Sequence, residues 1–190
     1  MTTPKRAWYE GAMYHVTARG NRKDDVFKDQ EDFLVYLYRV EEALEYYNEH
    51  NYKIVGYCLM TNHVHLIIKT DTKPLGLLIS RIHSIYTKYF NRKHGYVGHL
   101  FQDKYFGELI KDEAHLLETS RYVHLNPVNA LMVDSPEDYS WSSYNVMIGK
   151  EDQQLVDKEI LLEYFKGEDK FEEYKSFVES KTPGGAELSL

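Results

Sequence analysis

Met60-Thr61-Asn62-His63-Val64-His65-Leu66-Ile67-Ile68-Lys69 decides how this chain folds. The turn pair Thr61-Asn62 precedes an apolar, branched run, and such a run bounded by turn residues predicts a strand. Successive strand side chains point to opposite faces, so His63 and His65 share one face and Val64 takes the other. Along a strand the two histidines lie roughly 6–7 Å apart. Two imidazoles so placed can grip one divalent cation, since imidazole is the commonest metal ligand. The same pattern suits two ordinary strand histidines, so a metal site requires a third ligand and a reacting group from elsewhere.

Working outward, Lys53 to Met60 predicts the strand before it, and Thr61-Asn62 joins the two as a hairpin. Further upstream, residues 12–18 (Ala-Met-Tyr-His-Val-Thr-Ala) predict a first strand in which His15 reads as structural. The basic loop Arg19-Gly20-Asn21-Arg22-Lys23 follows with a turn signal. Asp29 or Gln30 opens a helix to about Asn48, with Phe33, Leu37, Val40, Leu44 and Tyr47 at three- and four-residue steps. Downstream, Asp71-Thr72-Lys73-Pro74 breaks the chain and starts a helix with Pro74 in its first turn. That helix carries Leu77, Leu78, Ile82, Ile85, Tyr86 and Tyr89 inward and closes on Gly95. Its basic, aromatic end, residues 88–95, suits either dipole compensation or a phosphate backbone. Lys104–Ile110 predicts a fourth strand. Asp112 then caps a helix that Asn126-Pro127 ends, because the residue before proline is pushed out of the helical region. The order β-α-β-β-α-β followed by a helix predicts an α+β, ferredoxin-like core with an antiparallel sheet. From Ser135 the chain turns aromatic and turn-rich. Residues 156–180 predict one or two short acidic helices, and Thr182–Leu190 is expected to fray.

A length of 190 residues fits one domain with a tail, and 43% hydrophobic with 28% charged residues is ordinary for a globular chain. No apolar run reaches the ~18 residues that span a membrane. The first residues lack an apolar signal core, so a cytoplasmic protein is expected. Cys58 sits alone in an apolar run, which favours a buried, inert thiol. The net charge of −7 would argue against nucleic acid, but it is unevenly spread. Residues 131–190 hold 14 Asp+Glu against 6 Lys+Arg, whereas residues 1–130 hold 17 Lys+Arg against 16 Asp+Glu. Local basic groups at Lys5-Arg6, Arg19–Lys23 and Lys88–His94 therefore decide phosphate affinity, more than the total does.

Tyr122 and Asn126 lie four apart and so share one helix face. An amide oxygen suits a hard cation, Mg2+ or Mn2+. Two imidazoles and an amide would leave open positions for a phosphate, with a tyrosine one turn away. From spacing alone, Tyr122 is equally one packed tyrosine among 17 and Asn126 a helix terminator.

Several blocks in order carry a resemblance. They are Tyr14-His15-Val16-Thr17 with Arg19-Gly20-Asn21; residues 57–67 around His63 and His65; Gly98-His99-Leu100-Phe101-Gln102-Asp103-Lys104-Tyr105; Arg121-Tyr122-Val123-His124-Leu125-Asn126-Pro127-Val128; and residues 136–144. Over roughly residues 8–148 the chain resembles the single-tyrosine HUH transposases of the smallest bacterial insertion sequences, above all the REP-associated tyrosine transposases. The resemblance implies a nuclease domain over residues 1–148 and leaves residues 149–190 as an acidic extension. It implies that His63, His65 and Asn126 hold Mg2+ or Mn2+ and that Tyr122 is the nucleophile. Its expected substrate is single-stranded or hairpin DNA, cut and rejoined through a 5′-phosphotyrosine. Tyr86, Tyr89 and Tyr105 fit the nucleophile role less well. Arg19, Arg22, Lys88, Arg92 and Lys104 are the candidate DNA contacts. Thr61 stands where the family usually has proline, and Asp103-Lys104 and Asn129 where it often has arginine. The competing expectation is a domesticated hairpin-binding protein without turnover, motivated by the low positive charge. A replication or conjugation initiator and a small-phosphoester hydrolase are further alternatives. Both docking of the tyrosine helix in its own subunit and its exchange across a homodimer stay open.

Overall fold

Alternating apolar residues build one four-stranded antiparallel sheet in the computed structural model, which describes residues 8–180. Its strands are β1 (Met13–Arg19), β2 (Lys53–Met60), β3 (His63–Lys69) and β4 (Phe106–Ile110). They lie in the order β2-β3-β1-β4. β1 is antiparallel to both β3 and β4, and β2 to β3. β1 and β2 therefore run parallel with β3 inserted between them, which is how a split βαβ unit is laid out. The α+β expectation, with its antiparallel sheet, holds.

The two sheet faces have different tasks. Tyr14, Val16, Val64, Leu66 and Ile68 are buried on one of them. Burying each large side chain of this kind contributes roughly 1.5–3 kcal/mol. Helices α1 (Gln30–Tyr46) and α2 (Gly76–His94) pack on one another and supply Phe33, Tyr36, Val40, Leu78, Ile82, Tyr86 and Phe90 to the same core. Asp29 caps α1 by accepting from the Asp32 N–H, and Gly95 ends α2 with φ 60°, a left-handed turn that glycine adopts without strain. The opposite face carries His15, Thr17, Arg19, His63 and His65, as the register Thr17↔His65 and Arg19↔His63 requires. Helix α3 (Glu113–Asn129) packs there against β2 and β3, capped by Asp112 accepting from the His115 N–H.

Three boundaries depart from expectation. α2 begins at Gly76, two residues after Pro74, whose carbonyl accepts from the Tyr52 hydroxyl. β4 begins at Phe106, because the preceding residues are drawn to the loop after β1: Gln102 N–H donates to the Arg19 carbonyl and Asn21 N–H to that of Leu100. Most consequentially, α3 runs through Pro127 to Asn129. Proline removes one N–H donor and disfavours, without forbidding, the helical region for Asn126. The last turn closes around it: Ala130 N–H donates to Asn126 O and Met132 N–H to Pro127 O, and Leu131 at φ 56° ends the run. Asn126 is thus held inside the helix, one turn from Tyr122.

The remaining chain packs back on this layer. Val156 bridges in parallel to Ile54 at the β2 edge. Short helices α4 (Tyr144–Met147) and α5 (Glu159–Leu162) precede α6 (Lys170–Glu179), which Asp169 caps and which lies against α3. The expected short acidic helices are therefore present. The basic pair Lys5-Arg6 and the frayed stretch 182–190 lie outside the described residues. No described helix is long and apolar enough to cross a membrane.

Candidate functional site

The site forms where α3 crosses the histidine face of the sheet. Strand alternation puts His63 and His65 on this face, and their rings meet edge-on with centroids 4.9 Å apart. The Tyr122 ring stands nearly perpendicular to His65 at 5.6 Å and to His15 at 5.9 Å. The Asn126 side chain lies near enough to His63 to influence its proton affinity, and it donates to the Tyr122 carbonyl at 3.4 Å. The structure thus brings together all four residues proposed for the chemistry, from two elements far apart in sequence.

Burial keeps the imidazoles neutral. His63 is lowered to about 4, mainly by burial and then by the Arg19 charge, with the nearby Asn126 amide opposing. Burial, followed by its two histidine neighbours, drives His65 well below the usual imidazole range. His15 falls to about 4 through burial and then His115. Neutral imidazole is the form that ligates a metal.

The donor set fits a divalent cation. His65 is fully buried, yet its Nε2 has no hydrogen-bond partner among the described residues, and neither has Oγ1 of Thr17, its register neighbour. Buried polar atoms are normally paired. An imidazole nitrogen without a partner, near a second imidazole and an amide, offers donor types that such a cation accepts.

The candidate DNA contacts divide. Arg19 is exposed and sits opposite His63 in the register. Arg22 and Lys104 are exposed on the loops after β1 and before β4, which hydrogen-bond to each other at the same end of the sheet. Lys88 and Arg92 are exposed on α2, behind the sheet from the histidines. Tyr86 is turned away as well, buried and donating to the Val26 carbonyl.

A second metal-capable group, Asp29, Asp32 and His94, was not legible as a cluster. There Lys93 Nζ lies 2.7 Å from Asp29, 3.0 Å from Glu31 and 3.0 Å from Asp32. The ammonium already supplies the positive charge, so the cluster acts as a staple between the start of α1 and the end of α2. His15 is the site residue whose role the sequence concealed: its Nε2 meets His65 Nδ1 at 2.9 Å. Only the β1–β3 register, which is non-local, puts it there.

Comparison with known proteins places the chain in a family. The family model described as "Transposase IS200 like" matches residues 9–126. A solved structure described as a REP-associated tyrosine transposase bound to a REP hairpin matches with a TM-score of 0.63 at 15% identity, covering 83% of this chain and 98% of that one. It shares the fold. A crystal structure of a candidate transposase from Deinococcus radiodurans R1 matches with a TM-score of 0.41 at 13% identity, covering 61% and 91%. No curated protein matches the chain.

Proposed function

Because this chain belongs to the family of IS200-like transposases, we propose that it cuts and rejoins single-stranded, hairpin-bearing DNA with Tyr122 as nucleophile. One observation carries this: the Tyr122 ring stands edge-on to His65 at 5.6 Å, one turn of α3 from Asn126, whose amide donates to the Tyr122 carbonyl. His63, His65 and Asn126 would hold Mg2+ or Mn2+, hard cations that accept imidazole and amide donors. When bound, such an ion supplies Lewis-acid polarisation of a phosphoryl oxygen.

The chain's own residues do the rest. Tyr122 Oη attacks phosphorus and the bond to the 3′ oxygen breaks, leaving a 5′-phosphotyrosine and a free 3′-OH that takes up the proton. The covalent step conserves a phosphodiester bond, so a new 3′-OH can reverse it without an energy source. Arg19, opposite His63, is placed to pair with a phosphate oxygen. Arg22 and Lys104 extend this charge along the adjoining loops, where a single strand can lie.

The test is a denaturing gel of the protein with labelled hairpin oligonucleotides and Mn2+, wild type beside Tyr122→Phe. A labelled band at protein-plus-DNA mass, lost in the variant and with EDTA, is the expected result. Tight hairpin binding without any adduct would instead favour a binding protein that has lost turnover.

A further inference from the structure

We infer that His15 and Asn62 are positioning residues: each accepts a hydrogen bond from the Nδ1–H of one proposed metal-site histidine and so leaves that ring's Nε2 as a lone pair. The inference rests on the proposed ligand roles of His63 and His65. Both histidines are built alike in this respect. His63 Nδ1 lies 2.6 Å from Asn62 Oδ1 and His65 Nδ1 lies 2.9 Å from His15 Nε2. A neutral imidazole carries one proton, on either nitrogen, and the hydrogen bond made by one nitrogen decides the state of the other.

For His63 the assignment follows from chemistry. An amide oxygen only accepts, so the bond to Asn62 Oδ1 requires a proton on His63 Nδ1. Its Nε2 is then unprotonated. For His65 the partner is another imidazole, and either ring could donate. If His15 donated, His65 would carry its proton on Nε2, leaving a buried N–H with no partner, since that atom has none among the described residues. A stranded buried donor is costly. If His65 donates from Nδ1, its Nε2 becomes a lone pair that a cation can complete. His15 then accepts at Nε2.

His15 is held for this task. It is 5% exposed, and its ring stacks on His65 with centroids 5.2 Å apart and planes 14° from parallel. It also meets the Tyr122 ring edge-on. The stack fixes the rotation of His65, and the N–N contact fixes its tautomer. Neither function needs His15 to bind the ion. The arrangement differs from an ordinary buried histidine, whose neighbours satisfy both nitrogens.

The experiment uses DNA-free, full-length protein and calorimetric titration with Mn2+, so cleavage is not the readout. Wild type, His15→Phe, His15→Gln and His65→Ala are compared. His15→Phe keeps a stacking ring but accepts nothing. It should weaken Mn2+ binding about 10–100-fold, the range seen when partners of metal ligands are removed. His15→Gln restores an accepting oxygen and should recover most of the loss. If His65→Ala binds Mn2+ like wild type, the ligand assignment itself fails. If His65→Ala loses binding while His15→Phe retains it, the positioning role fails alone. Should His15→Phe not fold, long-range proton–nitrogen NMR of wild-type, metal-free protein reads the tautomer directly. A proton on His65 Nδ1 supports the inference, and one on Nε2 overturns it.

Discussion

His65 and His124 are both fully excluded from solvent, yet they sit in opposite kinds of surroundings. His124, on the sheet-facing side of α3, has each ring nitrogen engaged: Nδ1 with the Tyr174 hydroxyl at 2.6 Å and Nε2 with Ser143 Oγ at 2.9 Å. Ser143 in turn accepts from the Tyr57 N–H at 2.8 Å. That chain of bonds ties α3 to β2 and to α6. His65 has one nitrogen engaged and one without a partner among the described residues. A buried histidine closed on both sides secures a fold, whereas the second nitrogen of His65 is the one the proposed cation would take. The same helix carries both kinds of contact, Tyr122 and Asn126 towards the open histidines and His124 towards the closed network. Tyr122, the proposed nucleophile, is thereby held by the C-terminal elements of its own chain.

The largest contrast should come from truncating the two histidines. His65→Ala is expected to reduce metal-dependent adduct formation by at least about 100-fold, as removal of a first ligand or its oriented partner does, while costing less stability than His124→Ala. The reverse holds for His124→Ala, which takes a partner from the Tyr174 and Ser143 hydroxyls and opens a cavity. It should cost about 2–4 kcal/mol in urea unfolding, with adduct yield per folded molecule within severalfold of wild type. Equal activity losses at matched folded fraction would dissolve the distinction.

Acid should reveal the histidines that secure the fold next: His124, and the half-buried His83, whose Nε2 lies 3.3 Å from the Tyr36 hydroxyl. Burial holds His124 and His83 each at about 3, against about 6.5 for a free imidazole. Between those values the unfolded chain binds more protons than the folded one, so stability rises with pH there. The contribution is fully present above pH ~6.5 and is lost progressively as pH falls towards the folded values. The urea midpoint should therefore drop between pH 7 and pH 5, and His83→Gln should flatten that drop. A midpoint unchanged across this window would contradict the burial argument.

A smaller effect separates the two basic surfaces. Arg19→Gln should weaken hairpin binding and lower its salt dependence by about one counterion; Lys88→Gln, behind the sheet, should do so less. The smallest effect concerns the staple between α1 and α2. Lys93→Met should leave the Mn2+ requirement for adduct formation unchanged, because the acidic cluster it fills is remote from Tyr122. A shift in that requirement would make Asp29, Asp32 and His94 a functional ion site.

Much of this architecture was legible because its signals are local. Alternation in 53–60 and 63–69 defined both strands of the hairpin, and Asp29, Asp112 and Gly95 marked helix ends through side-chain caps and a left-handed turn. His63 and His65 shared a face by parity alone. The continuation of α3 past Pro127 was hidden because tertiary packing buries that proline and overrides its local preference. His15 read as structural because its partner lies 50 residues away, joined to it only through strand register. The lysine-filled acidic cluster was hidden for the same reason, since Asp32 and Lys93 meet across two helices.

The most direct test of the account is to map the covalent bond itself. The protein would be incubated with a hairpin oligonucleotide and Mn2+, digested with nuclease and protease, and analysed by mass spectrometry for a nucleotide-bearing peptide. The account predicts a phosphotyrosine linkage on the peptide containing Tyr122, and on none of the other tyrosines. A linkage at a different residue, or free cleaved DNA with no protein-bound nucleotide, would contradict it.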